Sequence, residues 1–362
     1  MTAALALSCS ILILFTAANL LPFLSVRLAG MERESHLYSA IKFLLDSNWV
    51  LLATGLSAFI LVLPAVRLLL LSATLGTIQF GFRPRWLGPA FRWSVILEPW
   101  AMLDVLLVGS FVGYTRLADR LPTHVGSGGW CFVAAAGLTM IARAALDRRT
   151  VWRAIEPDRS LPENAAVISC TVCDLTIDST AELQPCPRCG ARLHARKPDA
   201  LVRATALSIA GFLFYLPAIT LPMVVVTQLG DNEPETIFYG VKKLIELGLW
   251  PFAGIVFFTS IIIPLLKLVA IGWFIIATRC RSARGLVLRA RLHRVVDSLG
   301  RWSNVDVMII IIFAPLTQFG QLASAQLATG AACLFAVVFL TMLASSAFDA
   351  RLMWDAAEST DE

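Results

Sequence analysis

The stretch GLWPFAGIVFFTSIIIPLLKLVAIGWFIIAT, Gly248–Thr278, carries a single charged residue, Lys267. NWVLLATGLSAFILVLPAVRLLLLSATLGTI, Asn48–Ile78, has the same build, with Arg67 in place of Lys267 and Pro64 in place of Pro264. A bilayer core of about 30 Å takes roughly 20 apolar residues as a helix, so each stretch spans it with residues to spare. Six more apolar stretches lie near 3–26, 99–117, 129–146, 204–227, 303–322 and 327–347, those at 99–117 and 303–322 being the most polar. Composition agrees: 57% of residues are hydrophobic and 15% charged, against about 25% charged in soluble domains, and mean hydropathy is +0.74. The first stretch reads as a retained helix rather than a secretory signal, because it lacks a positive leading segment and a small-residue cleavage site. The fold class expected is an all-α integral membrane protein with eight transmembrane helices.

The match between the two long stretches extends along the chain. Asn19-Leu-Leu-Pro22-Phe-Leu-Ser-Val26 aligns with Ile219-Thr-Leu-Pro222-Met-Val-Val-Val226, and Tyr38 and Trp49 with Tyr239 and Trp250. Arg92, Trp100, Asp104 and Val105 align with Arg294, Trp302, Asp306 and Val307; Asp147, Arg149 and Trp152 align with Asp349, Arg351 and Trp354. An ordered set at a nearly constant offset marks an internal repeat. Two tandem four-helix modules are predicted, 1–155 and 201–362, with residues 156–200 between them. Four helices each make the modules parallel rather than inverted. The segments 30–47 and 232–247 read as amphipathic helices on the outer surface. The prolines at 22, 64, 222, 264 and 315 read as helix kinks that free backbone groups.

With both termini inside, the inner loops and tail hold 20 Lys and Arg and the outer loops 7. Positive charge favours the cytoplasmic side, so N terminus, C terminus and residues 156–200 are placed in the cytoplasm. These basic loops fit anionic lipid and topology, not nucleic acid.

Cys170-x2-Cys173-x12-Cys186-x2-Cys189 is the sharpest local motif. Two CxxC turns supply four thiolates to one tetrahedral ion. Zinc is the expected metal, with iron possible in such S4 knuckles. The segment is too polar for an apolar core, so metal would drive its folding. A disulfide framework is disfavoured in a reducing cytoplasm. The knuckle precedes the second module and is assigned to that half alone. Cys9, Cys131, Cys280 and Cys333 read as packing residues.

Ionisable groups inside apolar spans are costly and mark polar pathways. Lys267 lies about 18 Å of helix from Arg279, and Arg67 is its repeat partner. Asp306 and Asp104 lie one turn past Trp302 and Trp100; Asn304 and Glu98 are near the same level. These six are the candidates for a polar path between the halves that binds a headgroup or relays protons. The structural alternative is a snorkelling Lys267 and a salt bridge at the membrane boundary. No P-loop, Gly-x-Ser-x-Gly, His-Glu-x-x-His or dinucleotide glycine pattern is present, and no enzyme activity is expected.

With the four-cysteine ribbon, Leu221-Pro222, Pro264 with Lys267, Trp302 with Asp306, and their first-half counterparts, the chain resembles the paraquat-inducible protein A family across nearly its whole length. That resemblance implies a bacterial inner-membrane subunit of a lipid transport system. It would pass membrane phospholipid to or from a periplasmic protein of the mammalian-cell-entry (MCE) type. Two other roles stay open: a non-transporting scaffold that anchors the MCE partner, and a membrane redox or metal sensor built on the knuckle. The family commonly carries a ribbon before each module; this chain has one, so one metal per chain is expected.

Overall fold

The computed structural model describes residues 2–28, 31–118, 122–157, 167–178, 184–228, 231–246, 248–281, 285–299, 308 and 323–358. The stretch expected as the seventh helix, with Asn304, Asp306 and Pro315, lies outside the described residues apart from Met308.

Helix α1 (Thr2–Leu20) is followed by strands β1 (Leu24–Leu28) and β2 (Met31–Ser35), then the short helix α2 (Leu37–Asp46). Next come α3 (Val50–Gln79), α4 (Leu87–Ile96), α5 (Leu103–Ala118), β3 (Thr123–Val125), α6 (Ser127–Ala145) and α7 (Arg148–Ile155). The central segment holds β4 (Val167–Ser169) and β5 (Thr176–Asp178). The second half repeats the order: α8 (Ala200–Thr220), β6 (Val224–Gln228), β7 (Asp231–Glu235) and α9 (Ile237–Glu246). Then follow α10 (Trp250–Arg279), α11 (Leu286–Leu299), β8 (Ala323–Leu327), α12 (Thr329–Ala347) and α13 (Leu352–Glu358). Among the described residues six helices, α1, α3, α6, α8, α10 and α12, are long and apolar enough to cross a membrane; α5 is shorter.

Two features correct the all-α expectation. The apolar runs 3–26 and 204–227 are not single helices: α1 stops at Leu20 and α8 at Thr220, and the residues beyond form strands. Pro22 and Pro222 are the cause. A proline has no N–H to donate and drives its predecessor to extended backbone, so these two prolines end helices rather than kink them. The β-branched Val224-Val225-Val226 then favours a strand. Each half thereby gains a three-stranded antiparallel sheet, ordered β2-β1-β3 and β7-β6-β8, with Leu24 opposite Ser35 and Val125 in one and Val224 opposite Glu235 and Leu327 in the other. Each is followed by an amphipathic helix, α2 or α9, in the segments where outer helices were expected.

Pro64 and Pro264 act differently. In α3 and α10 the turns just before them, Ala58–Val62 and Phe258–Ile262, are π-helical. A π turn takes up the register fault that a missing N–H creates, and the helix continues to the buried Arg67 or Lys267.

The sheets are pinned to the helices by matching glycines. The N–H of Gly128 donates to Pro22 O and that of Gly330 to Pro222 O, both at 3.0 Å. A Cβ on Gly128 would lie 2.5 Å from Leu21 O, and one on Gly330 2.5 Å from Pro222 O. Backbone cannot yield there as a side-chain tip can. Gly330→Ala is expected to destabilise the protein by about 1–3 kcal/mol, read as a lower melting temperature in detergent; an unchanged melt would refute this packing.

Candidate metal centre and buried charge clusters

The four ribbon cysteines converge. Their sulfurs all lie within 4.8 Å of one another, with Cys170 Sγ to Cys189 Sγ and Cys173 Sγ to Cys186 Sγ both 3.6 Å. Metal–sulfur bonds of about 2.3 Å in a tetrahedron set sulfurs about 3.8 Å apart, whereas a disulfide needs about 2.05 Å. The donor set therefore fits a tetrahedral metal ion. The two knuckles are built alike. Asp174 N donates to Cys170 O and Gly190 N to Cys186 O, at 3.0 and 2.7 Å. Asp174 and Gly190 both have left-handed backbone, φ 55° and 69°, a conformation that favours Gly and Asp. Hairpin β4–β5 carries the first knuckle, and Cys186 N donates to Ala191 O to close the second.

The assignment of the ribbon to the second half alone is overturned. Cys170, Cys173, Leu175, Ile177, Cys186, Cys189 and Leu193 share one apolar cluster with Ala4, Leu71, Leu75, Phe91, Val151 and Trp152, all from the first half. At the tightest point, a Cβ on Gly88 of α4 would lie 1.9 Å from Arg188 O. The chain just after the ribbon is tied to the second half instead. Lys197 N donates to Asp349 Oδ2 (3.1 Å) and Lys197 Nζ to Ser346 O (2.7 Å). Arg196 grips both oxygens of Asp355 at 2.5 Å, and these bonds hold the Asp355 carboxyl below its ordinary pKa. The ribbon and its exit strand thus clasp both halves at one end.

Arg67, Glu98 and Asp104 meet in one ion-pair cluster inside the first half. Arg67 lies 3.4 Å from Glu98, and Arg143 lies 3.6 Å from Glu98 and 2.8 Å from Asp104. Arg148 also pairs with Glu98. Arg67 and Asp104 are both buried. A cavity of about 30 Å³ opens between Arg67, Glu98, Thr139 and Arg143, room for a water or two. Arg143 and Arg148 escaped the sequence reading; the signal was a lone arginine in the last turn of the otherwise apolar α6.

Lys267 sits in the second half with a different environment. It is 2% exposed, and among the described residues its Nζ donates to Thr341 Oγ1 at 3.1 Å. One turn further along α12, Ser345 Oγ donates to Asp297 Oδ1 at 2.8 Å. In the preceding turns of α10, Tyr215 Oη donates to Ile261 O at 3.2 Å beside the π turn, where Thr259 and Ser260 are buried. Tyr215, Thr259 and Ser260 stand where the first half has Phe15, Phe59 and Ile60. The pairing follows from the sequence offset; that the three polar side chains are buried is seen only in the fold.

Arg67 and Lys267 bond within their own halves, to Glu98 and to Thr341. The seam between the halves is aromatic: Phe59 packs on Trp100, Phe335 and Phe339 at centroid distances of 5.7, 5.8 and 6.1 Å. A Cβ on Gly55 would lie 2.6 Å from Phe335 Cζ, so a larger residue there would have to move that ring.

The paraquat-inducible protein A family model matches residues 1–156 and 201–358. The chain is 30% identical over 95% of its length to the intermembrane transport protein PqiA of Escherichia coli (strain K12), covering 84% of that protein. It is 29% identical to the lipophilic envelope-spanning tunnel protein A of the same organism, over 95% of this chain and 81% of the relative. A probable intermembrane transport protein of Haemophilus influenzae is 26% identical over 95% and 84%. No solved structure matches the chain. With its apolar helices and a match on both sides of the ribbon, the chain belongs to the paraquat-inducible protein A family.

Proposed function

We propose that the protein is the inner-membrane subunit of a lipid transport system, passing phospholipid to or from a periplasmic MCE-domain partner. It is built as two tandem four-helix modules, with zinc in the ribbon and ribbon and termini in the cytoplasm. The observation that carries this reading is the buried polar series of the second half, Thr259, Ser260, Tyr215, Lys267 and Thr341, set in a bundle whose first-half counterpart is apolar at three of the five positions. Ionisable groups buried in a membrane are costly and commonly mark a path. The named activity of the relatives, intermembrane transport, is the class such a path serves. Lys267 contacts the passing headgroup or relays a proton, with Asp306 and Asn304 as further candidates for the same path. Arg67, Glu98 and Asp104 hold one another and serve as the rigid reference against which the second module works.

The anchoring role without transport fits the first module, whose ion cluster and docked ribbon have the character of a scaffold. Lys267→Met separates the two. Among the described residues Lys267 bonds a neutral hydroxyl and no carboxylate, so its replacement strands no described charge; the variant is expected to melt near the parent temperature and still co-purify with the MCE partner. It should fail to restore the envelope barrier in cells lacking the protein. Full restoration by Lys267→Met and by Asp306→Asn would leave anchoring as the function.

A further inference from the structure

At the ribbon end of α3 the chain turns through Phe80-Gly-Phe82-Arg83-Pro-Arg85-Trp86 before α4 begins. We propose that this turn is a membrane-surface anchor that binds anionic phospholipid, its aromatic rings seated in the headgroup layer and Arg83 and Arg85 on lipid phosphates.

The turn has a fixed backbone. Helix α3 closes with paired bonds, Phe82 N donating to Thr77 O at 3.0 Å and Gly81 N to Ile78 O at 3.1 Å. A helix stop of this kind needs left-handed backbone, which Gly81 supplies at φ 77°. Leu87 N then donates to Pro84 O at 3.1 Å where α4 starts. Held this way, Phe80 is 76% and Phe82 67% exposed, and Trp86 and Trp93 are exposed as well. The two tryptophans are seven residues apart and share a side of α4. Single exposed apolar residues are ordinary, but four aromatic rings on one turn and the helix it starts mark an interaction surface.

Length selects the membrane as the partner. Helix α3 has 30 residues, about 45 Å at helical rise, which matches a bilayer with its headgroups rather than its apolar core alone. The turn therefore falls in the headgroup layer, where aromatic side chains gather. The ribbon does not cover these rings: it takes another side of α4, with Gly88 and Phe91.

Charge selects the lipid. The chain has no Asp or Glu between Asp46 and Glu98, and Glu98 is already held by Arg67, Arg143 and Arg148. Arg83 and Arg85 are exposed and, among the described residues, have no acidic partner. Arg92 is a different case, because its Nη1 lies beside Gly190 of the ribbon, and it is left to the metal centre. Cations at this height attract anionic lipid, and guanidinium forks fit pairs of phosphate oxygens. The equivalent stretch of the second half, Cys280–Gly285, has arginines but no aromatic residue, so the anchor belongs to the first half. That its leaflet is the cytoplasmic one rests on the orientation proposed above; the anchor itself does not.

The test uses the full-length protein in nanodiscs of phosphatidylcholine doped with brominated phosphatidylcholine or brominated phosphatidylglycerol. The emission of Trp86 is read as the difference between the parent and Trp86→Phe. Both brominated lipids are expected to quench it, phosphatidylglycerol the more strongly. Arg83→Gln/Arg85→Gln should lower the relative affinity for phosphatidylglycerol by about thirtyfold, the product of roughly fivefold for each arginine near an anionic surface. The melting temperature of that variant in detergent should equal the parent's. Emission reached by aqueous acrylamide but by neither lipid would overturn the membrane assignment. A phosphatidylglycerol preference that is absent, or unmoved by the arginine variant, would overturn the role of the charges. So would a lower melting temperature of the variant in detergent, because the arginines would then hold the fold. A dimer in detergent that Phe80→Ser/Phe82→Ser dissolves would assign the surface to a second copy of the chain instead. None of these outcomes depends on whether the protein transports lipid.

Discussion

Cys189→Ser is expected to yield protein without bound metal and with the ribbon cut by protease, while the membrane helices remain intact. Cys189 is fully buried and its sulfur is one of four that converge. Structural zinc contributes about 10–16 kcal/mol in small S-ligand domains, and this ribbon has little else: two three-residue strands and a few apolar side chains. Loss of the metal should therefore unfold it rather than loosen it. Because the ribbon covers Leu75, Phe91 and Trp152, its departure exposes apolar surface of the first half, and the melting temperature should fall. Chelation of the parent protein should give the same cleavage, and Gly88→Val should release the ribbon with its metal still bound, by driving a side chain into Arg188 O. Metal analysis with limited proteolysis checks all three. Zinc at one per chain in Cys189→Ser would refute the four-thiolate centre; an uncut ribbon after complete metal removal would refute its dependence on metal.

Arg143→Met is expected to be the most damaging single change in the membrane region. It removes the cation that contacts both carboxylates of the first-half cluster. Breaking a buried ion pair from one side costs about 3–5 kcal/mol, because the partner charge stays behind. Glu98 keeps Arg67 and Arg148, and Asp104, 6% exposed, loses its 2.8 Å contact with Arg143. Asp104→Asn in the Arg143→Met background should recover part of the stability by removing the carboxylate that Arg143 paired with, a double-mutant comparison in which additivity fails. Melting temperature in detergent and yield of folded protein measure it. Strictly additive losses would show that the two residues do not act as a pair.

Much of the architecture was legible in residues. Apolar run length gave the membrane class, because only helices of that length satisfy their backbone groups across lipid. The constant offset between Pro64–Arg67 and Pro264–Lys267 led to the expectation of a repeat, and the two CxxC turns, a local pattern, pointed to the four cysteines that converge. The ends of α1 and α8 were legible but misread: Leu21-Pro22 and Leu221-Pro222 sit inside apolar runs, and hydropathy outweighed the proline's effect on the backbone.

What the sequence alone determined is the kind of molecule: apolar helices in two similar sets, and four thiols spaced for one ion. Only the tertiary structure decided which groups meet. Arg143 and Glu98 are 45 positions apart in sequence, and no periodicity joins them. The ribbon precedes the second half in sequence yet packs on the first, because the apolar face that fits it, around Gly88 and Trp152, lies there. Contacts between distant segments depend on surface shape, which residue order does not display.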